Sequence, residues 1–156
     1  MAPFTMGQVM SDKTRLDEVS IFGDKLRFLI PHDWVETRES DDYYLYHEPN
    51  SGWLRVSLIS VTSTDPPKKL RESFSDRPGL VTDEETGNFV QTWEKPSTEE
   101  GVDTHVYYWK VGNVVPPEIV RVAIFSYTIL SARLQNAETK KTVSLLGILL
   151  SQAIFL

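Results

Sequence analysis

The sequence predicts an α+β fold, a mostly antiparallel β-sheet covered by helices, and three observations carry that prediction. Leu26, Phe28 and Ile30 fall on one side of a period-2 strand and Lys25 and Arg27 on the other, with Pro31 ending the pairing and Trp34 just beyond. Residues 119–130 are almost continuously apolar, β-branched or aromatic, the composition of a strand covered on both faces near the middle of a sheet. Helical signals are confined to residues 66–75 and to the segment after Asn136, so the helices are segregated and must lie on the sheet to bury their apolar stripes.

The chain opens with a hairpin, in which Val19-Ser20-Ile21-Phe22 joins the next strand through Gly23-Asp24, two residues that accept the positive φ of a tight turn. Residues 35–39 and 43–47 follow as strands around the polar Ser40-Asp41-Asp42, and Glu48-Pro49-Asn50-Ser51-Gly52 reads as a turn. Residues 53–61 form the third strong strand, with Leu54, Val56 and Leu58 on one face and Trp53, Arg55, Ser57 and Ile59 on the other. Asp65 ahead of Pro66 and Pro67 starts a helix over residues 66–75, whose Leu70 and Phe74 make an i, i+4 apolar edge before Pro78-Gly79.

Residues 89–94 and 105–111 read as antiparallel strands separated by a polar, acidic hairpin loop over 95–104, and Val114-Val115-Pro116-Pro117 reads as a further break. Asn136 caps a final helix from Ala137, with Glu138 in the first turn where the helix dipole favours negative charge. Val143, Leu146, Leu150 and Ala153 form its core-facing stripe, widened by Leu145 and Leu149. Residues 1–18 hold Asp12, Asp17 and Glu18 and no apolar run, so they read as a flexible arm without a secretory signal, and residues 19–156 as one domain.

With 156 residues and 40% hydrophobic content, the chain is long enough to bury a substantial core. It has no cysteine, which removes disulfide scaffolds, thiolate zinc sites and cysteine nucleophiles and suits the cytoplasm. A formal net charge of −6 repels phosphate backbones and makes nucleic acid a poor partner. The apolar run over residues 143–156 is shorter than the roughly 20 residues of a bilayer span, so a buried terminal helix is expected and no membrane span.

The apolar strand ending in Pro31-x-x-Trp34, the aromatic hairpin, the Trp53-Leu54-x-Val56 strand and a late Ile124-Phe125-Ser126-Tyr127 strand before a closing helix together resemble the PsbP-like superfamily. The resemblance covers residues 19–156 as a pattern of elements and implies an α/β/α sandwich. That superfamily includes an extrinsic photosystem subunit, a nuclear-import factor that binds the Ran GTPase, bacterial lipoproteins and chaperones of type VI secretion effectors. No transit peptide and no lipidated cysteine are found here, so the resemblance implies an uncharacterised bacterial branch whose relatives mostly bind other proteins.

No recognised chemistry stands out among the residues. His32, His47 and His105 lie in different elements without metal-ligand spacing, no serine sits in a nucleophile elbow, and no glycine-rich phosphate cradle occurs, so no catalytic residue, metal or cofactor is expected. The aromatics are the remaining anomaly. Alternation sends Tyr43 and Tyr44, or Tyr108 and Trp109, to opposite faces, placing one of each pair outside the main core.

A partner-binding surface is therefore expected at Tyr46, Trp53, Tyr108 and Trp109, bordered by the acidic Asp41, Asp42, Glu99 and Glu100. The expected function is a non-catalytic, cytoplasmic protein-binding domain, an accessory protein such as a secretion-effector chaperone or toxin immunity protein, with acidity suited to a basic partner. Two readings stand beside it. One is a small-molecule-binding protein or enzyme with a pocket between sheet and helix, and the other a homodimer joined through its aromatics.

Overall fold

The computed structural model describes residues 15–38, 40–49 and 52–156. In chain order these form β1 (Leu16–Ile21), β2 (Leu26–Pro31), β3 (Val35–Thr37), β4 (Tyr43–His47), β5 (Trp53–Thr62), α1 (Pro66–Ser73) and β6 (Val81–Thr82). There follow β7 (Phe89–Glu99), β8 (Val102–Val115), β9 (Ile119–Leu130), a 3-10 turn (Ser131–Arg133), α2 (Ala137–Ser151) and β10 (Ile154–Phe155). Every pairing among the described residues is antiparallel, so the α+β class holds.

The strands divide into a seven-stranded sheet of order β3-β4-β5-β9-β8-β7-β6 and a three-stranded sheet of order β1-β2-β10. The apolar β9 is the middle strand of the larger sheet, as its composition requires. The opening hairpin leaves that sheet. Leu26, Phe28 and Ile30 of β2 face it from one side, with Phe28 meeting Phe125 edge-on at 5.2 Å and Tyr46 at 5.9 Å. Leu146 and Leu150 of α2 and Ala153 beyond it complete this main core.

On the opposite face α1 packs Leu70 and Phe74 against Val120 and Val122, a smaller core at one end of β9. The helix starts where Asp65 accepts from the Lys68 amide at 3.3 Å, with Pro66 and Pro67 in the first turn. Its C-terminal end is held from the sheet. Gln91, fully buried on β7, donates its amide to the Phe74 and Arg77 carbonyl oxygens at 2.7 and 2.8 Å. For α2, the Asn136 side chain accepts from the Glu138 amide at 2.8 Å. No helix among the described residues is long and apolar enough to cross a membrane.

Several boundaries move from their expected places. Residues 16–18 belong to β1 and not to an arm, because Leu16 through Ile21 pair with Pro31 through Leu26; residues 1–14, Glu39, Asn50 and Ser51 lie outside the described residues. The loop expected over 95–104 is instead a continuation of the β7–β8 ribbon, turning only at Glu100 and Gly101 with φ of 51° and 81°. Its polar residues do not forbid strand pairing, since residues 95–99 run along the outer side of the β8–β9 ladder and stay largely exposed, and positive φ at both central residues matches a tight hairpin.

Candidate functional site

Directly opposed residues of an antiparallel ladder share a face, so the register sorts every side chain of the large sheet. Leu54, Val56, Ala123, Phe125, Tyr127, Trp109 and Val111 point to the face covered by β2 and α2. The other face reads in cross-strand rows. One row is His47, Trp53, Thr128, Val106 and Lys95, the next Leu45, Arg55, Ser126, Tyr108 and Trp93, and the third Tyr43, Ser57, Ile124, Lys110 and Gln91.

This second face is covered by α1 beyond the third row, and the C-terminal end of the helix reaches that row, where Gln91 and Lys110 donate to the Phe74 and Ser73 carbonyls. Ser57, Ser126 and Thr128 are short, while Tyr43, Trp53 and Arg55 rise on one side and Tyr108 and Trp93 on the other. The result is a shallow trough along β9, about 10 Å across at two strand spacings, walled at one end by α1. Four large exposed hydrophobics, Val35, Ile59, Val102 and Leu130, also point to this face.

The rings on this face carry cations. Trp93 stacks on Tyr108 with centroids 5.0 Å apart, the Arg77 guanidinium lies 3.7 Å over Trp93, and the Lys95 ammonium lies 5.6 Å from Tyr108. Arg55 lies 4.8 Å over Tyr43. Lys110 donates to the Ser73 carbonyl and pairs with Asp76 at 3.2 Å, and that hydrogen bond holds the Asp76 carboxyl below its usual range. Trp53 enters no ring or cation–π pair among the described residues.

Of the expected surface aromatics, Trp53 and Tyr108 are half-buried on this open face, whereas Tyr46 and Trp109 are buried at 1% and 4% exposure. The latter two are corrections, because the alternation that exposes Tyr108 sends Trp109 into the core, and Tyr46 stands opposite the core residue Leu54. Asp41, Asp42, Glu99 and Glu100 are exposed in the β3–β4 loop and at the β7–β8 tip. Asp41 is bound to Arg38 at 3.1 Å. Arg55, Lys95, Lys110 and Arg77 were not expected in the site, although the alternation that set Trp53, Arg55, Ser57 and Ile59 together was the signal for the first of them.

The histidines stay apart. His32 meets Asp17 at 2.9 Å, His105 meets Glu94 at 2.9 Å, and His47 lies 3.1 Å from the Thr37 hydroxyl. Among the described residues no group of three or more histidines and carboxylates is placed to hold a metal ion. A polar seam does run through the covered face: Tyr127 donates to Glu48 Oε1 at 2.6 Å, the Gly52 amide donates to the same oxygen at 2.9 Å, and Arg133 lies 3.6 Å from it. Trp34 stacks on the Tyr127 ring at 5.8 Å. Burial, then the bond to Glu48, pushes the Tyr127 hydroxyl far above its usual pKa, and burial with Glu36 does the same for Tyr46.

Two clefts are small. One of about 220 Å³ lies between β2 and α2, lined by Phe28, Leu29, Leu149 and Gln152 with Glu18 and Arg27 at its rim, and one of about 230 Å³ lies beside Asn88, Asn113 and Phe155. Both fall below the roughly 300–1,000 Å³ of small-molecule sites, and neither contains a histidine.

No family model and no curated protein matches the chain. Among solved structures it is similar to a protein of Bacteroides thetaiotaomicron VPI-5482, with a TM-score of 0.60 and 14% identity over 89% of this chain. The match takes in 48% of that protein, so the chain spans about half its length. It is also similar to LpqN of Mycobacterium tuberculosis, a protein involved in cell envelope biogenesis, with a TM-score of 0.53 and 16% identity over 95% of this chain and 94% of LpqN. At these identities the likeness is one of fold.

Proposed function

We propose that the chain is a non-catalytic protein-binding domain acting in the cytoplasm, and that the open face of its seven-stranded sheet is the contact surface. One observation carries the reading: Trp53, Tyr108 and the exposed Val35, Ile59, Val102 and Leu130 all point to the face that α1 covers only in part. Half-buried tryptophan and tyrosine on a rigid sheet bring a large contact area at low entropic cost, the character of interface anchors. An accessory role as effector chaperone or immunity protein in a PsbP-like branch fits such a surface. A small-molecule role has less support, because the cleft between β2 and α2 is small and the histidine–carboxylate pairs lie outside it.

Trp53→Ala and Tyr108→Ala should each weaken partner binding by about 1–4 kcal/mol while leaving the thermal transition nearly in place. The test is affinity capture from the native lysate with the wild type and both variants side by side. If no protein is retained, or if the same proteins are retained by wild type and variants alike, the face is not the contact surface.

A further inference from the structure

Resting on that reading, we propose that the occupant of the open sheet face is an acidic protein segment whose carboxylates pair with Arg55 and Lys95. The whole chain is acidic at −6, yet the rows that build the trough hold Arg55, Lys95 and Lys110 and no carboxylate. Glu94, beside Lys95 on β7, points to the opposite face and is paired with His105, and Glu99, the nearest acid of β7 on this face, is four residues beyond Lys95, about 13 Å along the strand. Asp76 is already engaged by Lys110 and lies 3.7 Å from Arg77. Arg55 and Lys95 enter no ion pair among the described residues, although both are exposed.

An acidic chain that gathers cations outside any ion pair onto one open face beside Trp53 and Tyr108 has a surface complementary to negative charge. This reverses the basic partner expected from net charge alone. Nucleic acid fits less well than acidic protein. Stacking of successive bases needs several free ring faces, and of the tryptophan and tyrosine rings in the three rows Trp53 alone enters no ring or cation–π pair among the described residues: Trp93 lies between Arg77 and Tyr108, Tyr108 carries Lys95, and Tyr43 carries Arg55. A second copy meeting through the same face would bring two sets of rows with cations and no carboxylate together, which leaves Arg55 and Lys95 without acidic partners in those rows.

The probe is a fluorescein-labelled poly-L-glutamate of about twenty residues, titrated by anisotropy at low salt, with polylysine and a single-stranded oligo-dT of equal length as comparators. Poly-L-glutamate should bind, lose at least tenfold in affinity with the paired Arg55→Glu and Lys95→Glu substitutions, and weaken steeply with added salt; oligo-dT should bind several-fold more weakly. Both substitutions are at exposed positions, and circular dichroism checks that the variant is folded. Absence of poly-L-glutamate binding, indifference to the charge reversal, or tighter binding of oligo-dT would each overturn the acidic-segment proposal. Captured proteins lost with Trp53→Ala but retained with the charge reversal would overturn it while leaving the binding face intact.

Discussion

Tyr127→Phe removes one hydroxyl and keeps the ring, which makes it a sharp probe of the polar seam. The ring stacks on Trp34 at 5.8 Å and lies 6.4 Å from Tyr107, and neither contact needs the oxygen. What disappears is the 2.6 Å bond to Glu48 Oε1, leaving that oxygen with the Gly52 amide at 2.9 Å and Arg133 at 3.6 Å. Hydrogen bonds to charged groups contribute about 1.5–3 kcal/mol. The Glu48 side chain is 9% exposed, so water replaces the lost donor poorly and the upper half of that range is expected. With a urea slope of about 2 kcal/mol per molar, the unfolding midpoint should fall by about 1 M.

The same variant should change the alkaline limb of the stability curve. Burial and a carboxylate partner raise the folded-state pKa of Tyr127 and of Tyr46 above the unfolded value. An acid that resists ionising in the fold stabilises it fully below the unfolded pKa of about 10, and that contribution is lost as pH rises further. Each such tyrosine steepens the loss by about 1.4 kcal/mol per pH unit. Above pH 10 the wild type should therefore lose about 1.4 kcal/mol per pH unit more than Tyr127→Phe, in which Tyr46 and Tyr107 keep their raised values. A midpoint shift under about 0.25 M urea with an unchanged alkaline slope would refute the reasoning, because the hydroxyl would then not be held by Glu48.

Leu146 has no exposed surface and packs in the main core, so Leu146→Asp should cost several kcal/mol and abolish the cooperative thermal transition. A Cβ on Gly52 would stand 2.0 Å from Glu48 Oε1 and 2.9 Å from Tyr127 Cε1, so Gly52→Ala should expel the carboxylate and cost at least about 2 kcal/mol by urea denaturation. Gln91→Leu strands the Phe74 and Arg77 carbonyls but also removes the unpartnered Gln91 Oε1, so a net loss of about 2 kcal/mol is expected, with hydrogen exchange rising first in α1.

Strands whose two faces differ in polarity were legible from the chain alone. Alternation identified β2 and β5, and unbroken apolarity identified β9 as the central strand. Both helices announced themselves through caps, Asp65 and Asn136, that make the bonds expected of them. Elements that depend on a partner distant in sequence were not legible. β10 is two residues long and exists because Ile154 and Phe155 pair with Arg27 and Leu26, more than a hundred positions earlier, and nothing in Ile154-Phe155 alone encodes that. The extension of β7 past Lys95 was hidden for the opposite reason, since residues 95–99 stay largely exposed and leave no apolar period to read.

The candidate site was half legible for a related cause. Trp53 and Tyr108 were found because large aromatics draw notice, but the same attention selected Tyr46 and Trp109, whose facing is set by register and not by residue type. β9 holds the missing information. Its residues toward the main core, Ala123, Phe125, Tyr127 and Ile129, are all buried. Toward the other face the sequence passes from Val120 and Val122 beneath α1 through Ile124 to Ser126 and Thr128, a fall in bulk and apolarity that begins one row beyond the residues packed on the helix. A sheet intended to be covered along its whole length would continue with large apolar residues there. Ser57 and Ser126, short and half-buried between aromatic and cationic side chains, instead stand where the core under α1 gives out, so the edge of the intramolecular core and the start of the face proposed as a contact surface lie a step or two apart on neighbouring strands.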